Sequence, residues 1–220
     1  MAKYDIIYED NDLLVLNKNH ETYVIPDRQK EHLSIIEDLK NSYNNIFTVH
    51  RLDAGTSGVL IFAKNKFSHS FLNTQFEKKL VNKKYIAITK NKIVSQTLML
   101  PIGKSNHGKY SINFKSGKKS ITSFFLLDTN KDASLILAEP LTGRTHQIRV
   151  HLKALKAPLF YDFLYGEKRN DKILSLHCLS ITLKHPSSKK SITFSAPLSQ
   201  VMNSLLIENN LNGNLINEYN

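Results

Sequence analysis

Apolar and polar positions repeat with the short period of strands over most of this chain. Runs of β-branched, aromatic and leucine side chains, bounded by turn residues, indicate strands at 4–8, 13–17, 85–88, 134–139, 173–184 and 190–195. The acidic turn at 9–12 makes a hairpin of the first two runs. Two more apolar runs flank the loop at 50–58, and glycines divide the stretch 101–127 into hairpins.

A helical period is found in fewer places. Leu33, Ile36 and Leu39 predict an amphipathic helix over 32–43. The other predicted helices run from Phe67 to the lysine pair 78–79, over 145–156, and over 198–208. Many strands with few helices predict an α+β fold on a large mixed or mostly antiparallel sheet, in two lobes. We expect one continuous domain over 1–208 and a frayed, asparagine-rich tail over 209–220.

The composition of the chain predicts that the protein binds a polyanion. The 220 residues carry a formal net charge of +11, with a sequence pI near 9.6, which favours nucleic acid or an acidic membrane surface. No apolar run approaches about 20 residues, and the N-terminus lacks the features of a signal peptide. We therefore expect a cytoplasmic protein with no membrane partner. The single cysteine, Cys178, excludes an internal disulfide and a cysteine-based metal cluster, and its apolar neighbours predict a buried thiol.

The positive charge is concentrated in one stretch. Residues 101–127 contain no acid, and aromatic side chains are interleaved among their lysines. This pattern favours phosphate contact, with Lys115, Lys118 and Lys119 as the candidate residues. A solvated hairpin whose lysines prevent edge-to-edge pairing would give the same pattern, and both interpretations can hold at once.

The loop 50–58 carries the most concentrated candidate chemistry. His50, Arg51 and Asp53 crowd a turn between two apolar runs, and Gly55 and Gly58 let the backbone approach a bulky group. Taken alone, such a loop is more often a solvated turn with a weak surface ion pair.

Two long motifs change that assessment. Arg51-Leu52-Asp53 followed by Thr56-Ser57-Gly58 resembles the HRLDxxTSG signature of the RluA-type RNA pseudouridine synthases, and 143–152 (GRTHQIRVHL) resembles that family's second signature. Weaker similarities extend over nearly the whole chain, at 8–18, 84–87, 176–178, 185–186 and 194–198. The opening hairpin begins at residue 4, which suggests the short form without the N-terminal S4-like module.

Two loops depart from the family pattern. Asn17-Lys18 is usually followed by a Pro-x-Gly turn, but here it is followed by Asn19-His20-Glu21. A Gly-Asp pair usually follows the second-signature helix, where this chain has Tyr161-Asp162. Both changes affect loops that shape the fit of a substrate.

The resemblance implies a reaction and a set of catalytic residues. The family breaks the N1–C1′ bond of a uridine, turns the base and rejoins it through C5, without a redox step. Asp53 would be the nucleophile, at C6 or at C1′, and Arg149 would keep its carboxylate ionised and oriented. Tyr85 would stack on the flipped uracil and handle a proton near C5. No cofactor or metal is expected. Without the resemblance, we would interpret Arg149 as the partner of a structural acid and Tyr85 as packed on a sheet face.

The same resemblance suggests how RNA is held. Arg51 would fill the space left by the extruded nucleotide or hold a phosphate. Arg144 and His146, near a helix start, are candidates for RNA contact, and His50 is expected to be structural. The expected partner is an rRNA or tRNA stem-loop, bound by a monomer.

Two other functions remain open at this point. The chain could be a catalytically silent RNA-binding factor on the same scaffold, although intact Asp53, Tyr85 and Arg149 argue against decay. It could also be a different enzyme with an aspartate nucleophile, such as a glycosidase, which needs a second carboxylate; Asp162 is the candidate.

Overall fold

The structure, a computed structural model, describes residues 3–26, 32–105, 109–166 and 173–219. These residues form two compact units, each built from two stretches of the chain. The first unit comprises Met1–Asn82 and Cys178–Pro197, and the second comprises Lys83–His177 and Leu198–Asn220.

The strands are β1 Tyr4–Glu9, β2 Leu13–Lys18, β3 Phe47–Thr48, β4 Ser57–Ala63, β5 Asn82–Lys90, β6 Gln96–Leu98, β7 Ile102–Lys104, β8 Tyr110–Ile112, β9 Thr122–Thr129, β10 Ala133–Pro140, β11 Leu176–Lys184 and β12 Ser191–Ser195. The helices are α1 Ile35–Lys40, α2 Lys66–Glu77, α3 Gln147–Ala154 and α4 Gln200–Glu208, with a 3-10 helix at Gly213–Tyr219.

The first unit is organised on strand β4, whose residues are all buried. Its strand order is β1-β2-β4-β11, with β3 added to β4 and β12 added to β11. The β1–β2, β2–β4, β3–β4 and β11–β12 pairings are antiparallel. Gly58 opens β4 with φ +105°, and a Cβ there would lie 2.2 Å from the backbone oxygen of Cys178. The close approach expected at this glycine is therefore made by a neighbouring strand, and the Cys178 thiol is buried as predicted.

Helix α1 is shorter than the predicted 32–43. Ser34 and Glu37 form a capping box, in which the Ser34 hydroxyl accepts from the Glu37 N–H and the Glu37 carboxylate accepts from the Ser34 N–H. This cap starts the helix at Ile35, and Leu33 lies outside it with 53% of its surface exposed. The predicted helix began too early because the spacing of apolar residues carries no information about where a capping hydrogen bond starts the helix.

The second unit holds an antiparallel sheet in the order β5-β10-β9-β6 and a separate hairpin, β7–β8. Helix α3 packs its apolar face against this sheet, so Ile148 and Leu152 share one core with Ala87, Phe124 and Ile136. The helix runs from Gln147 to Ala154, within the predicted 145–156.

The C-terminal segment differs from the frayed tail that we expected. Leu211 and Ile216 are buried, and the backbone N–H of Asn212 donates to the Asp128 carboxylate at 2.6 Å. The Lys84 ammonium lies 5.5 Å from the ring centre of Tyr219. The prediction followed the asparagine-rich composition of the segment and gave too little weight to Leu211 and Ile216, two buried side chains of this region.

The α+β class with few helices is confirmed. No helix in the described ranges combines the length and apolarity needed to cross a bilayer.

Candidate active site

The Asp53 loop, residues 49–56, joins β3 to β4 in the first unit and is held by several hydrogen bonds. The Asp53 carbonyl accepts from the Thr56 N–H at 3.0 Å, which closes the turn. His50 Nε2 accepts from the Ile61 N–H at 3.0 Å, and its ring stacks on Phe76. His50 therefore connects the start of the loop to β4 and α2. Asp53 itself is half-buried and follows an exposed Arg51 and a buried Leu52.

Two side chains, one from the last residue of β2 and one from just after it, hold the same loop by hydrogen bonds. Lys18 Nζ donates to the carbonyl oxygens of Ala54 at 2.9 Å and Asn19 at 2.8 Å. His20 Nδ1 donates to the carbonyl oxygen of Gly55 at 2.7 Å. The backbone on the C-terminal side of Asp53 is thus tied to the β2 end, which restricts the positions that the carboxylate can take.

Lys18 is a site residue to which the sequence assigned no role. Its side chain is 0% exposed. Burial lowers the pKa of its ammonium from 10.5 to about 7, and the nearby Asp53 carboxylate acts in the opposite direction. Burial also lowers the pKa of His20. A lysine at the end of an apolar strand ordinarily extends into solvent, so the sequence carried no signal of this burial.

We expect the stability of the protein to record the Lys18 titration. Between about pH 7 and pH 10.5 the unfolded chain keeps the Lys18 proton and the folded chain has lost it. The free energy of unfolding therefore rises with pH in this window, by up to about 1.4 kcal/mol per pH unit from this group. Urea unfolding of the wild type and of Lys18→Met, compared at pH 6, 7, 8 and 9, should diverge above pH 7 in favour of the wild type. The exposed Lys66→Met is the matched control and should run parallel to the wild type throughout. Parallel curves for Lys18→Met would show that Lys18 stays charged in the folded protein.

Arg149 lies on α3 in the second unit and is paired there with Asp162. Its Nε donates to Asp162 Oδ2 at 2.9 Å and its Nη2 donates to Asp162 Oδ1 at 2.8 Å, and the two side chains are 2% and 1% exposed. The guanidinium also lies 5.2 Å from the ring centre of Phe163 and 5.1 Å from that of Tyr165. A two-point ion pair between aromatic rings fixes the plane of the guanidinium, which lysine cannot reproduce.

Asp162 is fully engaged by its surroundings. Besides Arg149, its Oδ1 accepts from the backbone N–H groups of Leu164 and Tyr165, each at 3.0 Å. This carboxylate serves to order the loop after α3 and to orient Arg149. A buried carboxylate that is ion-paired in this way is not available as the general acid that a glycosidase would need.

His146 takes a strained conformation where α3 begins. Its φ of 56° is left-handed, which is costly for a residue with a Cβ and is common at functional positions. The Tyr165 hydroxyl is hydrogen-bonded to His146 Nδ1 at 2.8 Å and accepts from the Tyr110 N–H at 3.0 Å. His146 is therefore tied to the β7–β8 hairpin and to the Arg149 loop within one unit.

Tyr85 lies in the middle of β5, opposite Ala138 of β10. Its ring is half-buried and packs against the core shared by the sheet and α3. The position on a sheet face is the one that the structural interpretation of this residue predicted.

Sequence comparison identifies the protein family. The chain matches the RNA pseudouridylate synthase family over residues 12–154. It is 38% identical over 221 residues to the ribosomal large subunit pseudouridine synthase C of Buchnera aphidicola subsp. Baizongia pistaciae, an alignment that covers 91% of this chain and 69% of that protein. This chain belongs to the RluA-type RNA pseudouridine synthases. It is an isomerase whose substrate is RNA.

Other relatives and solved structures agree with this assignment. The chain is 34% identical to the uncharacterized RNA pseudouridine synthase MG209 of Mycoplasma genitalium, covering 95% of this chain and 71% of that one. The structure of human RNA pseudouridylate synthase domain containing 4 superposes with a TM-score of 0.76 at 22% identity, over 94% of this chain and 93% of that one. The pseudouridine synthase fold is therefore confirmed.

The structure explains how this pseudouridine synthase tolerates its two loop departures. Glu21 stands where the family turn ends in glycine and has φ 58°, and Tyr161 stands where the family has the glycine of Gly-Asp and has φ 61°. Both residues take the left-handed backbone that glycine adopts freely. This conformation costs about 1 kcal/mol or more in backbone strain for each residue.

Restoring glycine should therefore stabilise the protein. We expect Glu21→Gly and Tyr161→Gly each to raise the free energy of unfolding by up to about 1 kcal/mol, after the added freedom of glycine in the unfolded chain is subtracted. Urea unfolding checks this. Exposed Ser70→Gly, inside α2, is the control, and it should lose about 0.5 kcal/mol because glycine is a poorer helix former than serine. A loss at both left-handed positions would show that their side chains contribute more than the strain costs.

The remaining candidate residues lie in different places. Arg51 is exposed on the Asp53 loop in the first unit. Arg144, Lys118, Lys115 and Lys119 are exposed in the second unit, and Arg144 Nε donates to the Lys119 carbonyl oxygen at 3.3 Å. Of these, Lys118 and Arg144 line a common cavity, whereas Lys115 and Lys119 do not line it.

Proposed function

We propose that this enzyme converts specific uridines to pseudouridine in structured rRNA or tRNA, with Asp53 as the nucleophile and without a cofactor or metal. The observation that carries the proposal is the Asp53 loop, whose backbone is fixed on both sides of the carboxylate by His50, Lys18 and His20. A carboxylate on a restrained loop is positioned for attack at a base or ribose carbon. In the roles that the family resemblance implies, Tyr85 contacts the uracil and Arg149 maintains the charge of the nucleophile.

The choice of RNA rests on charge and on the relatives. The net charge of +11 suits a folded polyanion. Curated relatives include ribosomal large subunit pseudouridine synthases, which supports rRNA as the first substrate to test. We propose that the enzyme acts as a cytoplasmic monomer on a stem-loop, with Arg51, Arg144 and His146 among the RNA contacts.

The basic stretch should contribute most of the salt dependence of RNA binding. Neutralising Lys115, Lys118 and Lys119 together should weaken binding and reduce the slope of log K against log salt by about 2. Filter binding of a ribosomal RNA transcript between 50 and 300 mM salt measures this slope. Substituting Lys66, Lys3 and Lys190 removes the same charge elsewhere and should change the slope less. An equal slope change in both triple variants would remove the hairpin from the RNA footprint.

The test of the proposed activity uses RNA from cells that lack the gene. The purified enzyme should form pseudouridine at one or a few positions in deproteinised rRNA or tRNA from such cells, detected by chemical mapping. If the enzyme formed pseudouridine in neither rRNA nor tRNA, the proposed substrates would be wrong.

A further inference from the structure

A cavity in the second unit is lined by residues other than the proposed catalytic ones. It has a volume of about 380 Å³ and is lined by Ile102, Gly103, Lys104, Tyr110, Ser116, Lys118, Gly143, Arg144 and Thr145. Asp53, Tyr85 and Arg149 are not among these residues. The volume is at the lower end of the roughly 300–1,000 Å³ of small-ligand sites, so the cavity suits a ligand of nucleotide size.

The walls of the cavity are well defined by backbone pairing. Gly103 of β7 pairs with Ser111 of β8. Ile102 and Lys118 exchange both backbone hydrogen bonds, N to O at 3.0 and 2.8 Å, which places the Lys118 segment beside β7. The opposite wall is the loop before α3, where the Arg144 N–H donates to Gln147 Oε1 at 3.0 Å. Hydrogen-bonded backbone therefore lines the cavity, which lowers the entropy cost of ordering it around a ligand.

The charge of the lining selects an anion. Lys104, Lys118 and Arg144 are exposed cations, and none of the nine described lining residues is acidic. Cations that face one cavity repel each other, and a phosphate would relieve that repulsion while accepting hydrogen bonds from all three. The guanidinium of Arg144 is oriented by its Nε, which donates to the Lys119 carbonyl oxygen at 3.3 Å.

The cavity also offers a surface for a base. The Tyr110 ring is half-buried and is held edge-on against His146 at 5.6 Å between ring centres. A fixed aromatic ring beside a phosphate site is the arrangement that single-stranded nucleic acid uses for stacking. Gly143 leaves the backbone uncovered on one side of the cavity, where a Cβ would meet no atom within 4 Å.

From these observations we propose that the cavity is a subsite for one nucleotide of the RNA substrate other than the target uridine. The phosphate contacts Lys104, Lys118 and Arg144, and the base stacks on Tyr110. This inference rests on the proposed action on RNA, and it adds a second contact point that selects RNA with an accessible nucleotide beside the target stem-loop.

A steric variant tests the subsite without changing charge. Gly143 has ordinary backbone angles, and a Cβ there would meet no atom within 4 Å, so a larger side chain can be accommodated locally. Gly143→Phe places a ring in the open space at this part of the cavity lining and should weaken binding of a fluorescein-labelled pentauridylate about tenfold, measured by anisotropy, with little change in the salt slope. Gly143→Ala should bind within twofold of the wild type and controls for the loss of glycine.

A charge variant tests the phosphate contacts separately. Lys104→Ala with Lys118→Ala should weaken binding of the same probe at least tenfold and reduce its salt slope by about 1.4. Lys92→Ala with Lys131→Ala removes equal charge from exposed positions of the same unit, outside the cavity lining, and should bind within threefold of the wild type.

The outcomes separate the subsite from the proposed function. Weakening by both cavity variants and not by their controls supports the subsite. If Gly143→Phe binds like the wild type, or if the two lysine pairs behave alike, the cavity does not hold a nucleotide. Modification of rRNA and tRNA by the wild type is measured independently, so an enzyme that binds the probe through the cavity but modifies neither RNA would overturn the proposed substrates alone.

Discussion

Asp53→Asn and Asp53→Ala should abolish pseudouridine formation while RNA binding survives. An amide has no anionic oxygen to attack C6 or C1′, so we expect turnover to fall by at least about 10³-fold. The Asp53 residue is half-buried. Lys18 and His20 donate hydrogen bonds to backbone carbonyls of the loop, and His50 accepts one from the backbone of β4, so these bonds do not involve the Asp53 carboxylate. The substitution therefore leaves the loop anchored, and RNA affinity should stay within about threefold of the wild type.

Release of tritium from RNA that contains 5-tritiated uridine measures the reaction, because C5 loses its proton when the new bond forms. The control is Asp5→Asn, which removes an exposed carboxylate from β1 of the same unit and should be fully active. Turnover by Asp53→Asn at more than a few per cent of the wild-type rate would exclude Asp53 as the nucleophile.

Arg149→Met should lose both activity and stability. The substitution leaves the Asp162 carboxylate, which is 1% exposed, without its cationic partner. Removing one member of a buried ion pair costs about 3–5 kcal/mol, so we expect a loss of that size in the free energy of unfolding. Activity should fall as well, since the guanidinium is the group that the family resemblance places in the reaction.

A double substitution separates these two effects. In Arg149→Met with Asp162→Asn the buried charge is gone, and the carbonyl oxygen of the introduced amide can still accept from the N–H groups that Asp162 Oδ1 serves now, those of Leu164 and Tyr165. We expect most of the lost stability to return while activity stays absent. Urea unfolding and tritium release give the two readouts. Recovery of activity together with stability would show that Arg149 is purely structural.

The sequence predicted most of the framework because period and turn residues are local signals. Strands β2, β4 and β10 are apolar runs with clear ends, and α3 carries Ile148 and Leu152 on its core face. Where a boundary depended on a single hydrogen bond, as at the Ser34 cap, the pattern could not locate it.

The side-chain contacts of the candidate catalytic residues were harder to predict from the sequence than the strands and helices. The resemblance implies that Arg149 orients the Asp53 carboxylate, and it does not name Asp162, which is thirteen positions away from Arg149 and is brought to it only by the conformation of the intervening loop. Lys18 is an ordinary strand-end lysine in sequence, and its burial becomes visible only when the loop that it fastens is in place. Nothing in the composition of residues 19–21 or of residue 161 indicated that Glu21 and Tyr161 would keep a backbone suited to glycine.

The most direct test of the central claim maps pseudouridines in rRNA and tRNA from cells that lack this gene and carry either the wild-type enzyme or Asp53→Asn. We expect one or a few uridines to be unmodified in the deletion strain, restored by the wild type and still unmodified with Asp53→Asn. Restoration by Asp53→Asn, or an identical modification map in the deletion strain, would contradict the assignment of Asp53 as nucleophile of an rRNA or tRNA pseudouridine synthase.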